Sequence, residues 1–324
     1  MNTKGLIKLL LSAVMVFWVT TTVNFSLLKG TLASIPLTTV VIVIGGYTVG
    51  QLLSSVKWWT IARAGGISVP YPTVAKAYFI GMFVNCFGLG MVGGDVARGI
   101  LVAQGLPKKT EGIASVVADR VHGLTVLSCI ALLTGGFLGS DRVPTELVQL
   151  LGLLTVGFVA GWLLGPWILN NLPFFKQTKL ASKMRQVAAI FPRDAKTLGI
   201  ITALSVLFHT VQILLHGAMA IGVGAQIPWA TLFLVIPLVN IVSSLPISWN
   251  GLGVREKSYI YFLTTPPAIL STEQAVAFGA LWLMAVTITS AIGGVMALCS
   301  GDLKLLRAER KASVAAAAVL AKQS

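Results

Sequence analysis

Asp95 and Arg98 stand three residues apart, directly after Gly93-Gly94, in a stretch that is otherwise apolar: Gly81 to Gly99 reads GMFVNCFGLGMVGGDVARG. A second stretch, Leu238 to Glu256, reads LVNIVSSLPISWNGLGVRE and follows the same order. Each has a Val-Asn pair (Val84-Asn85, Val239-Asn240), then glycines, then a valine and an arginine (Val96 and Arg98, Val254 and Arg255). Arginine carries a permanent charge and a planar fork of N–H donors that matches phosphate. Backbone N–H groups freed where a glycine-rich break opens a helix suit the same ligand. The chemistry on offer is therefore capture of an anionic head group. Asp119-Arg120 adds two more charges. Neighbours on a helix project about 100° apart and cannot easily pair with each other, so each needs a partner elsewhere. Arg98 with Asp119 and Asp95 with Arg120 are the crossed pairs this predicts. The competing reading is structural: Asp95 caps the helix of Arg98, and the four charges only tie two segments together. The candidate substrate-binding residues are Asn85, Asp95, Arg98, Asp119, Arg120, Asn240, Arg255 and Glu256. Ser243 and Ser244 are expected to serve backbone groups.

Other chemistry is thinly represented. His209 and His216 lie seven residues apart on one helix face. An interhelical hydrogen bond explains them simply, and His209 is the candidate for handling protons, since imidazole titrates near neutral pH. Cys86, Cys129 and Cys299 fit neither a disulfide framework nor a zinc site and read as small buried hydrophobes. No catalytic residue, metal or cofactor is expected. Gly88-Leu89-Gly90-Met91-Val92-Gly93 matches G-x-G-x-x-G in form, but that fingerprint needs a preceding strand in a βαβ unit.

The elements that must position these residues are membrane helices. The 324 residues are 56% hydrophobic and 10% charged, against about 25% charged in soluble domains. Mean hydropathy is +0.87. The formal net charge of +14 belongs to loops and to anionic lipid, with nucleic acid excluded as a partner because so little of the chain is solvated. Full spans are expected at about 6–23, 37–56, 113–138, 147–169, 198–223 and 275–298, each near the length a crossing helix needs. Lys57, Trp58 and Trp59 close the second with an aromatic and basic interface signal. Basic residues gather at the N-terminus, after the second span, in the 170–198 loop (Lys176, Lys179, Lys183) and in the tail (Lys304, Arg307, Arg310, Lys311). That bias puts both termini in the cytoplasm and demands an even number of crossings. Six spans plus two re-entrant hairpins, at about 73–92 and 230–265, satisfy it. The fold expected is all-α, with residues 1–300 one integral membrane domain of inverted halves, about 1–140 and 141–300, and 301–324 a basic cytoplasmic tail. Two broken segments in corresponding places of two inverted halves point to a transport site between them.

At these motifs the chain resembles the transmembrane domain of lysylphosphatidylglycerol synthases and their stand-alone relatives. The resemblance runs from about Gly50 to Leu298. It is carried by Asn85 with Gly93-Gly94-Asp95-Val96-Ala97-Arg98, by Asp119-Arg120-Val121-His122-Gly123, and by Leu245-Pro246-Ile247-Ser248 with Gly251-Leu252-Gly253-Val254-Arg255-Glu256. Leu89, between two glycines, replaces the proline of the family's first hairpin. The resemblance implies a lipid flippase in the cytoplasmic membrane. The chain ends about 25 residues after its last span, which leaves no room for the soluble domain that makes the aminoacylated lipid, so a stand-alone flippase and not a synthase is expected. Its substrate would be a phospholipid or a polyprenyl-phosphate-linked sugar. The rival readings are an integral membrane transferase, which needs a free carboxylate or histidine base, and a non-catalytic subunit of a partner enzyme. Homo-oligomerisation is left open.

Overall fold

The computed structural model describes residues 23–87, 91–105, 109–138, 144–171, 187–245, 251–265 and 268–302, with 13, 14, 17, 21, 184, 185, 248 and 306. Most of the expected first span, the glycines at 88 and 90 with Leu89, Arg142, Lys176, Lys179, Lys183, Pro246, Ile247 and the tail from Lys304 (Leu306 apart) lie outside these residues.

Ten helices organise the described chain: α1 (Phe25–Ser34), α2 (Leu37–Ala64), α3 (Tyr71–Phe87), α4 (Met91–Val102), α5 (Lys109–Leu138), α6 (Thr145–Asn171), α7 (Ala195–Gly222), α8 (Trp229–Ser244), α9 (Val254–Thr264) and α10 (Thr272–Ser300). Five segments, within α2, α5, α6, α7 and α10, are long and apolar enough to cross a membrane. They correspond to five of the six expected spans. The helix ends follow local chemistry. Asp194 accepts the Thr197 N–H at 2.8 Å to start α7. Ser271 and Gln274 form a reciprocal capping box at the start of α10. Two expectations change. The segment expected as a loop at 24–36 contains α1, and α2 runs eight residues past Val56, which carries Lys57 and Trp58 into the interior, 4% and 0% exposed. They are core residues, not an interface signal, because α2 is covered there by α3 and α5.

The packing among eight of these helices has an internal correspondence. Exchanging α2 with α7, α3 with α8, α4 with α9 and α5 with α10 maps the α2–α7 pair onto itself and every other packed pair among these eight helices onto another packed pair. The helices α2 and α7 pair with each other and run antiparallel, since Thr39 lies against Gly222, Gly46 against Leu215 and Gly50 against Gln212. At the centre, two corresponding helices therefore run in opposite directions. Corresponding small residues permit the corresponding contacts. Gly293 lets α10 approach α3 so closely that a Cβ would strike the Phe79 carbonyl, and Gly135 places α5 on α8 with Leu234 beside it.

Within each half a broken pair folds back on itself. Helix α3 packs on α4, with Gly81 against both Gly94 and Arg98, and α8 packs on α9. The largest core cluster joins α7, α8 and α10 through residues such as Met219, Leu234 and Phe278. A second cluster joins α2, α3 and α4 around Trp58 and Ile80.

Candidate functional site

Between the halves lies a cavity of about 450 Å³. Helices α2, α3, α4, α5, α7, α8, α9 and α10 all contribute to its wall. Five of the six charged side chains on that wall form a chain of contacts. Lys57 Nζ lies 3.0 Å from Asp119 Oδ1 and donates to the Asp119 carbonyl at 3.2 Å. Arg98 Nη2 donates to Asp119 Oδ2 at 3.1 Å. Arg98 Nε is 3.2 Å from Asp95 Oδ1. Arg120 closes the chain with a two-pronged contact, Nε and Nη2 each 3.0 Å from an Asp95 oxygen. Both crossed pairs are thus present, together with the local Asp95–Arg98 pair. Asp119 and Arg98 are each 4% exposed, and a charge so buried is tolerated only with partners.

Aromatic and polar groups hold this chain in place. The Arg98 guanidinium sits 4.8 Å from the Trp58 ring centroid and 5.1 Å from that of Tyr78. Trp58 Nε1 donates to Ser115 Oγ at 3.1 Å. Tyr78 Oη lies 3.0 Å from Gln51 Oε1 and 2.9 Å from Ser54 Oγ. The arginine therefore has a fixed position before any ligand arrives.

The two broken pairs are finished differently. In the first, Asn85 Oδ1 accepts the Gly94 N–H at 2.8 Å. Asp95 is not a helix cap, because α4 already begins at Met91, and its carboxylate is free to meet two arginines. In the second, Gly253 takes a positive φ of 79° and its N–H donates to Glu256 Oε2 at 2.7 Å. Glu256 caps α9 and is not among the residues that line the cavity. Arg255 does line it, and its buried Nε has no partner among the described residues. Asn85, Asp95, Arg98, Asp119, Arg120, Asn240 and His209 also line it. Ser244 Oγ donates to the Ile241 carbonyl at 2.7 Å, whereas Ser243 faces the cavity with its hydroxyl unpartnered among the described residues.

His209 Nε2 lies 3.2 Å from the Gly123 carbonyl, an acceptor, so this nitrogen donates. His216 is fixed elsewhere. Its Nδ1 donates to the Gln212 carbonyl at 2.7 Å, and its Nε2 stands 2.8 Å from Tyr259 Oη. Among the described residues no three His, Cys, Asp or Glu side chains come close enough to hold a metal ion.

Sequence reasoning missed several wall residues: Lys57, Tyr47, Gln51, Tyr78, Gln212 and Trp282. A signal was there. Tyr47, Gln51, Ser54 and Trp58 recur at steps of four, three and four on α2, which is one face of a helix. A polar stripe through an apolar span marks an interior face.

The chain matches the model of a protein family described as Lysylphosphatidylglycerol synthase TM region over residues 5–294. It belongs to that family and is a multi-pass membrane protein. No curated protein matches it.

Proposed function

We propose, on the premise that the chain belongs to the lysylphosphatidylglycerol synthase TM-region family, that it is a flippase for an anionic, phosphate-bearing lipid. The lipid is a phospholipid or a lipid-linked sugar. Its head group enters the cavity between the inverted halves, and its chains stay in the bilayer. The two broken pairs act as re-entrant hairpins from opposite faces of the cytoplasmic membrane, with both termini in the cytoplasm. The observation that carries this reading is the cavity wall. It holds four cations, Lys57, Arg98, Arg120 and Arg255, against two carboxylates. Arg98 Nη1 and Arg255 Nε, one from each half, are buried N–H donors without a partner among the described residues. Buried donors that pair with nothing in the protein are suited to a ligand's acceptor oxygens.

The transferase reading fares worse on the same wall. A transferase needs a free base near its substrate, but Asp95 and Asp119 each sit between two cations and Glu256 is spent on Gly253. We therefore assign transport without covalent change.

The test is lipid flipping by the purified protein in liposomes, wild type beside Arg98→Ala and Arg255→Ala. A fluorescent phosphatidylglycerol and a short-chain polyprenyl-phosphate sugar are both offered. Movement of either that depends on the arginines is expected. Folded protein that moves neither would refute the flippase reading. Lipid that emerges chemically altered would point to the transferase.

A further inference from the structure

Both carboxylates of the cavity are already committed. Asp119 lies between Lys57 and Arg98, and Asp95 between Arg98 and Arg120. Of the buried wall atoms without a hydrogen-bond partner among the described residues, Arg98 Nη1, Arg255 Nε and Gln212 Nε2 can only donate, and Ser243 Oγ can do either. The acceptor among them, Asp119 Oδ1, has Lys57 Nζ 3.0 Å away. The remaining uncharged wall residues include Asn85 and Asn240, and Asn85 gives its oxygen to Gly94. The wall carries an excess of two positive charges and no uncommitted carboxylate among the described residues.

An ammonium group that entered would find no free carboxylate. Two aromatic rings of the wall, Tyr78 and Trp282, are already engaged, and an aromatic face is the other common receptor for a cation. Arg98 occupies Trp58 and Tyr78. His216 packs against Trp282 at 4.2 Å, and Tyr47 meets the same ring edge-on at 5.1 Å. Like charge placed against like charge in a low-dielectric site is a strong means of excluding a wrong partner.

We propose that the cavity is a charge sieve for head groups. It takes a phosphate whose attached group is uncharged and hydroxyl-bearing, a glycerol or a sugar, and it rejects a head group that carries ammonium, such as an aminoacylated phospholipid. The phosphate meets Arg98 and Arg255, and the hydroxyls meet the amides of Asn240 and Gln212 and the hydroxyl of Ser243. This rests on the head-group reading above and narrows it. It also sets this chain apart from the lipid after which its family is described, whose lysyl ester carries two amines.

The test is binding, not transport, so that the two readings fail separately. Purified full-length protein is offered phosphatidylglycerol, its lysyl ester and a polyprenyl-phosphate glucose, in competition, with occupancy read by native mass spectrometry. The lysyl ester is expected to bind at least about tenfold more weakly than the better of the other two. Which of those two binds identifies the hydroxyl-bearing group. Arg255→Gln and Lys57→Met each remove one positive charge, and each should narrow the gap by weakening the anionic lipid more than the lysyl ester. Arg255→Gln keeps the test open if Lys57→Met does not fold. A lysyl ester that binds as tightly as the anionic lipids overturns the sieve and leaves the flippase reading standing. If none of the three binds, the head-group reading falls and the sieve falls with it.

Discussion

Asp119→Asn should be among the most damaging single changes in the protein, and the reason is arithmetic on charge. Asparagine keeps the shape of the side chain, so packing changes little. What is lost is the counter-charge to Lys57, 3.0 Å away, and to Arg98, 3.1 Å away. Among the described residues Lys57 meets no other carboxylate, while Arg98 keeps Asp95. Breaking a buried pair by removing one partner costs about 3–5 kcal/mol, because the other charge stays behind unpaired. The Arg120–Asp95 pair is a useful contrast. It has better geometry, with two bonds of 3.0 Å, but the Arg120 side chain is 44% exposed. Screening by water reduces such a pair to about 0–1 kcal/mol, so Arg120→Gln should cost far less. The assay is reversible unfolding in mixed micelles, with SDS as denaturant, for wild type, Asp119→Asn, Lys57→Met and the double variant. Removing both partners leaves no orphan on the Lys57 side. The double variant should therefore recover about 1–3 kcal/mol relative to the sum of the singles. If Asp119→Asn costs under about 1 kcal/mol, or if the two singles simply add, the claim that this cluster is buried and mutually dependent is wrong.

Three further outcomes are expected. Gly94→Ala would drive a Cβ into the Gly81 carbonyl and Asn85 Oδ1 and should cost about 1–3 kcal/mol through overpacking alone, whereas Gly136→Ala, with nothing within 4 Å, should be neutral or stabilising by about 0.4–1 kcal/mol; the same unfolding assay separates them. Tyr259→Phe removes the hydroxyl that faces His216 Nε2 and should cost about 1–3 kcal/mol by leaving that nitrogen buried and unpaired. The Thr197 N–H holds the exposed Asp194 carboxyl below its ordinary range, so its cap on α7 is fully present above the unfolded value of about 3.9 and is lost as pH falls through the lower folded value. Hydrogen exchange at the Thr197 amide, wild type over Asp194→Ala, should show protection near neutrality that fades in acid; a ratio independent of pH would refute the cap.

The sequence was most informative where physics acts locally. Five spans appeared as long apolar runs because nothing but a helix satisfies so many backbone groups away from water. The crossed pairs were legible because two adjacent charges on one helix cannot serve each other. Lys57 was misread for the opposite reason. A lysine followed by two tryptophans looks like a membrane boundary, and only the fold shows that α3 and α5 cover that turn. Glu256 stands among the substrate-binding candidates by sequence, while the positive φ of Gly253 turns its carboxylate back onto the backbone. Arg98 and Arg255 could be matched across the repeat from their neighbours, but their meeting in one cavity depends on the antiparallel seating of α2 on α7, which no local pattern encodes.

The inverted packing map has an electrical consequence. Of the charges on the cavity wall, the first half supplies Lys57, Arg98 and Arg120 with Asp95 and Asp119, and the second supplies Arg255. The halves differ in chemistry, yet each brings one net positive charge. A transport cycle of the kind proposed that exchanged the positions of the two halves would carry one charge inward as the other moved outward. A membrane voltage would then do no net work on the empty carrier. It would act on the charge of the head group alone, at about 2.3 kcal/mol per elementary charge for each 100 mV, so that a neutral lipid would cross indifferent to voltage and an anionic one would not.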